Sequence, residues 1–136
     1  MAYYASPLLA AVKQARSLDL PAAAAGPTVL AGFSFGSVCA VEAAGRLVSA
    51  GAPPDVLLLM GVPLLRWDRS GASALPGVPV AWVQGGEDEF GGAELARATA
   101  GRLGWSLTVV DGADHFFTGR LDLFEEAAAR ELEPLL

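Results

Sequence analysis

The sequence predicts a single α/β domain spanning residues 1–136, with about four parallel strands flanked by helices. Strand-like and helix-like segments alternate along the chain, which implies right-handed crossovers between parallel strands. The run Asp55 to Val62 is apolar along its whole length, as a parallel strand covered on both faces requires. Reactive residue types gather just after the predicted strands, at the edge where open parallel sheets hold their ligands.

The elements follow in order. Leu8, Leu9, Val12, Ala15 and Leu18 form an apolar stripe that predicts a helix over 6–18. The breaker stretch Leu20 to Pro27 leads into a first strand over 28–34. A helix is expected from Phe35 to Ala50, closed by Gly51 and the pair Pro53 and Pro54. The second strand is 55–62. Residues 63–77 read as a loop with at most one helical turn. A third strand over 78–84 precedes a helix over 91–103, whose apolar positions are Leu95, Ala98 and Leu103. A fourth strand spans 106–110. The closing helix, 119–136, is expected to turn Leu121, Leu123, Phe124, Ala127, Ala128, Leu132 and Leu135 inward.

Composition excludes several functions. A hydrophobic fraction of 53% argues against disorder. No apolar run reaches the length needed to span a membrane, and the N-terminus lacks the basic-then-apolar pattern of a signal peptide. The net charge is −6 and the nine cationic residues are scattered. Neither a nucleic acid nor an anionic membrane surface is therefore an expected partner. The single cysteine, Cys39, forms no internal disulfide and fits a reducing compartment, so the cytoplasm is the expected location. On its Ala/Val-rich helix Cys39 reads as a small core residue. No metal-ligand spacing, phosphate-binding loop or nucleotide fingerprint occurs, so no cofactor and no metal is expected.

The most informative segment is Gly32-Phe33-Ser34-Phe35-Gly36, a G-x-S-x-G run between a strand and a helix. A serine at such a junction is forced into a tight turn with its hydroxyl above the sheet edge. A side chain at Gly32 or Gly36 is expected to collide with nearby backbone. After the third strand comes Gln84-Gly85-Gly86-Glu87-Asp88-Glu89, and after the fourth Asp111-Gly112-Ala113-Asp114-His115-Phe116-Phe117. A hydroxyl, a carboxylate cluster and an imidazole thus fall on one edge.

Each type has a chemical reason. A serine hydroxyl needs a base to take its proton as it attacks. Imidazole suits that task because its pKa lies near neutral pH. A carboxylate on the far ring nitrogen fixes the tautomer and stabilises the imidazolium. His115 is the only histidine. The carboxylate is drawn from Glu87, Asp88 and Glu89. Asp114 is a rival, read more simply as a turn former.

These three segments together resemble the nucleophile, acid and histidine motifs of the α/β-hydrolase superfamily. They are most similar to its small, lidless, dienelactone-hydrolase-like bacterial branch. The resemblance runs from about Ser6 to the end. It implies Ser34 as nucleophile, His115 as base and Asp88 as acid, since Asp88 stands in the branch's Gly-x-x-Asp position after Gly85. It also implies the Phe35 backbone N–H as one oxyanion donor. The implied activity is that of a carboxylesterase or thioesterase on a small ester.

Family members have further strands before the nucleophile, and the loop that gives the second oxyanion N–H has no counterpart here. A truncated α/β-hydrolase fold is therefore expected, with the Ser34 strand as an exposed edge. Three readings follow: part of a longer hydrolase, which is preferred; a chain that pairs along that strand with itself or another; or a minimal domain of little or no activity. The rival to a hydrolase is a non-catalytic α/β domain that needs a partner.

Phe33, Phe116 and Phe117 are expected to line the substrate site with Trp67, although Phe33 is also the ring most readily buried in the elbow. Arg66 or Arg69 would meet an anionic group, unless the loop is a surface loop with an Arg–Asp pair.

Overall fold

A computed structural model describes Ala10, Gln14 and residues 26–136. Ala10 and Gln14 are helical; the rest of the helix expected over 6–18, and most of the breaker stretch, lie outside the described residues.

Four parallel strands form one sheet in the order β1-β2-β3-β4: β1 (Val29–Phe33), β2 (Val56–Met60), β3 (Val80–Gly85) and β4 (Ser106–Val110). Three helices join or follow them: α1 (Phe35–Ser49), α2 (Ala93–Leu103) and α3 (Leu121–Leu132). This is the predicted alternation, with each expected strand in place to within two residues at either end.

The sheet separates two layers. On one face Leu30, Leu57, Leu59, Val80 and Trp82 pack with Val41, Ala44 and Leu47 of α1 and Ala96 and Ala100 of α2. On the other, Val83 packs with Ala127 of α3, while Val56, Leu58 and Ala81 pack with Leu132. The β2–β3 crossover contains two short 3-10 turns, Leu64–Arg66 and Ala72–Ala74, and no α-helix. Its own side chains Val62, Leu64, Trp67, Leu75 and Val78 therefore cover the first face.

β1 and β4 are the outer strands among the described residues. Alternation along β1 buries Leu30 and Gly32 and leaves Val29, Ala31 and Phe33 exposed. α1 ends as expected, with Gly51 at φ +74° and its N–H bonded to Val48 O at 3.0 Å. Cys39 is a buried α1 residue, and burial pushes its thiol pKa up.

The helix faces differ from expectation in part. Ala98 is exposed, and α2 buries Ala96, Thr99 and Ala100 instead. Leu121, Leu123 and Leu135 are also exposed, and α3 buries Ala127 and Glu131. Glu131 is tolerated there because its Oε1 accepts a hydrogen bond from Thr108 Oγ1 at 2.7 Å. No helix among the described residues is long and apolar enough to cross a membrane.

Candidate active site

Ser34 lies between β1 and α1 with φ +56° and ψ −126°, a backbone conformation that non-glycine residues rarely adopt. Its N–H bonds to Met60 O at 2.9 Å, which fastens the turn to the end of β2. The turn depends on Gly32. A Cβ there would lie 2.2 Å from Gly36 O and 2.7 Å from Ser37 N. Gly36 differs from expectation, since a Cβ at that position meets nothing within 4 Å. The close approach is one-sided: Gly32 gives way to the Gly36 backbone.

Gly85, at the end of β3, performs a similar service for the loop after β4. A Cβ on it would lie 2.5 Å from Asp114 O and 2.6 Å from Ala113 O. The loop therefore lies directly on the strand end and carries His115 inward, where the ring is 2% exposed. Asp114 shapes the loop as a turn former. Its Oδ1 accepts from Phe116 N–H at 3.1 Å and Thr118 N–H at 2.9 Å. The Thr118 hydrogen bond, foremost, and that of Phe116 hold the Asp114 pKa below the usual carboxylate value.

These elements bring Ser34, His115 and Asp88 into one hydrogen-bonded line. His115 Nε2 lies 2.8 Å from Ser34 Oγ, and His115 Nδ1 lies 2.8 Å from Asp88 Oδ2. Asp88 is buried, and its Oδ1 accepts from Phe90 N–H at 2.8 Å. Glu87 and Glu89 on either side are exposed. Asp88 is therefore the carboxylate facing the imidazole.

The aromatic residues divide. Phe33 is 39% exposed, with its ring centroid 5.2 Å from that of His115. It is not buried in the elbow, because strand alternation puts it on the face opposite Leu30. Phe116 is also exposed, and its ring meets His115 edge-on at 5.0 Å. Phe90 adds a ring at 4.8 Å, edge-on, with the Arg66 guanidinium 5.7 Å above it. Sequence reasoning missed Phe90, although it stands only two residues past Asp88 at the same sheet edge.

Two expected lining residues are core residues instead. Trp67 is buried and stacks on Trp105 at 6.3 Å, because the helix-free crossover must cover the sheet. Phe117 is buried against Phe124, Val110 and Ala127. Arg69 donates to Leu64 O at 2.7 Å and also to Trp67 O, so it braces the crossover. Asp68 Oδ1 accepts from Ser70 N–H at 2.9 Å, and the Ser70 hydrogen bonds, foremost, with the nearby Arg69 charge hold its pKa below the usual carboxylate value.

A depression of about 560 Å³ opens beside Asp88, lined in part by Leu65, Glu89, Glu94 and Leu95. Neither Ser34 nor His115 lines it, so it is not where a carbonyl would meet the serine. Among the described residues no group of His, Cys, Asp and Glu is placed to hold a metal ion.

The chain resembles solved α/β serine hydrolases. An alpha-beta serine hydrolase homologue from Coxiella burnetii is 29% identical, with a TM-score of 0.60 over 78% of this chain and 49% of that one. An a/b serine hydrolase without lid from Xanthomonas campestris is 25% identical, with a TM-score of 0.64 over 81% and 48%. Est1E from Butyrivibrio proteoclasticus, at 19% identity, shares the fold with a TM-score of 0.74 over 97% and 69%. No family model matches the chain, and no curated protein matches it by sequence. The architecture is thus that of a truncated α/β-hydrolase fold, and the chain spans about half the length of the first two structures.

Proposed function

We propose that this chain is a serine hydrolase of the lidless, dienelactone-hydrolase-like type, acting on small carboxylic esters or thioesters. The observation that carries the reading is the hydrogen-bonded line Ser34–His115–Asp88, with 2.8 Å at each link. In this reading Ser34 Oγ attacks the carbonyl carbon while His115 Nε2 takes its proton. The Phe35 N–H, at the start of α1, faces the developing oxyanion. The tetrahedral intermediate expels an alcohol or thiol, which leaves with the proton from His115. A water activated by the same nitrogen then releases the acid and restores Ser34. Asp88 keeps the ring proton on Nδ1 throughout. Phe33, Phe90 and Phe116 flank the imidazole and favour an apolar group on the substrate. The lone, buried Cys39 suits a cytoplasmic location.

One observation favours a second reading. β1, which leads into Ser34, is an outer strand among the described residues, and its Val29 and Phe33 are more than a third exposed. On that reading the domain works only when another strand lies along β1, supplied by a second copy or another chain. Reaction with a fluorophosphonate probe tests both. Labelling confined to Ser34 in the monomer supports the first reading. Labelling that rises with protein concentration supports the second. A folded sample that stays unlabelled at every concentration, both as this chain and as a version extended by further N-terminal strands, overturns the hydrolase reading.

A further inference from the structure

Gln84 occupies the penultimate position of β3 and is wholly buried. Its Oε1 accepts from Val62 N–H at 2.8 Å and from the Trp82 indole N–H at 2.9 Å. Its Nε2 donates to Gly91 O at 2.7 Å and Val62 O at 3.0 Å, and lies 3.4 Å from Asp88 Oδ2. We infer that Gln84 is a positioning residue for Asp88, an inference that rests on the proposed triad.

The orientation of the amide is forced by its surroundings. Reversed, the nitrogen would face two N–H donors, and the oxygen would face two carbonyls and a carboxylate. The amide therefore turns its positive end to Asp88. It also ties the segment after β2, at Val62, to the segment after β3, at Gly91. Asp88 is thus set from two directions: the Phe90 N–H holds Oδ1, and the Gln84 amide stands against Oδ2, the oxygen that His115 shares. Without the amide, that oxygen keeps its imidazole partner but loses the positive amide edge 3.4 Å away. A group so placed bonds to neither Ser34 nor His115, and its direct link to the reacting pair is Asp88.

The test compares Gln84→Met with the parent in two backgrounds, Asp88 and Asp88→Asn, by the rate of fluorophosphonate labelling of Ser34. The expected result is a loss of about ten- to a hundredfold in the first background and little change in the second. Equal losses in both backgrounds, or none in either, overturn the inference. Gln84→Met leaves the Val62 and Trp82 donors buried without an acceptor, so folding is checked by circular dichroism. If it does not fold, Gln84→Glu, which retains that acceptor, takes its place in the same comparison. If the parent itself is not labelled, labelling carries no information on Gln84, and nuclear magnetic resonance decides the inference. His115 is the only histidine, so one imidazole spectrum reports the ring. A shifted or broadened Nδ1–H resonance in the Gln84 variant supports the positioning role, and an unchanged one overturns it.

Discussion

His115 Nε2 reaches Ser34 Oγ at 2.8 Å across a sequence separation of 81 positions. The approach depends on two tight backbone passages, at Gly32 under the serine and at Gly85 under the histidine loop. Gly85→Ala is expected to push that loop off the strand end. It should slow Ser34 labelling sharply and destabilise the fold by about 1–3 kcal/mol, as overpacking does. Gly36→Ala, with open space around it, should leave both nearly unchanged. Thermal melts and labelling rates on the two variants check the contrast.

The three adjacent acids separate by burial. Asp88→Asn should lower turnover by about 10⁴-fold by favouring the wrong imidazole tautomer. Glu87→Gln and Glu89→Gln, both at exposed positions, should change it little. Steady-state hydrolysis of a small ester by the three variants measures this. A large loss at Glu87 or Glu89 would reassign the acid.

Ser34 stores backbone strain at φ +56°. Ser34→Gly is expected to abolish labelling and to stabilise the fold by about 1 kcal/mol, seen as a Tm higher by a few degrees. A lower Tm would show that the turn is unstrained.

Asp114 gives the histidine loop a pH dependence. Its folded pKa is lowered, so its contribution is complete above the unfolded value of 3.8 and is lost as pH falls through the lower folded value. Acidification below that value should loosen the loop in the parent. Asp114→Ala should be loose already at neutral pH, and its loop should lose the extra sensitivity to acid. Hydrogen exchange at the Phe116 and Thr118 amides follows both effects.

Trp67 and Phe116 make opposite predictions. Trp67→Ala should destabilise by about 3–5 kcal/mol, because its stacked partner Trp105 loses a buried neighbour. Phe116→Ala, at a 62% exposed position, should spare stability and raise KM for apolar esters. Melting curves and kinetics on the same preparations separate the two.

Much of this was legible in the sequence. Alternation placed all four strands, and the G-x-S-x-G, Gly-x-x-Asp and histidine segments brought together the three residues the structure hydrogen-bonds. What escaped depends on contacts that no local pattern encodes. Trp67 reads as a loop residue beside a site, but a crossover without a helix must use its own side chains as cover. The closing helix is apolar on more than one side, so composition did not say that Leu121 and Leu123 face outward while Glu131 is buried on Thr108. Gln84 looks like an ordinary strand-end residue until Val62, Gly91 and Asp88 are seen around it.

The sheet order distributes these roles unevenly. Ser34 follows β1 and His115 follows β4, the two margins of the described sheet, whereas Gln84 lies in β3, which is buried at every position, and Asp88 follows it. The reacting pair is therefore hung from the periphery and its fixed reference from the centre. Breathing at either margin would part the hydroxyl from the imidazole while the interior stays closed. Warming should silence the site at temperatures where the fluorescence of the buried Trp67 and Trp82 still reports a folded protein.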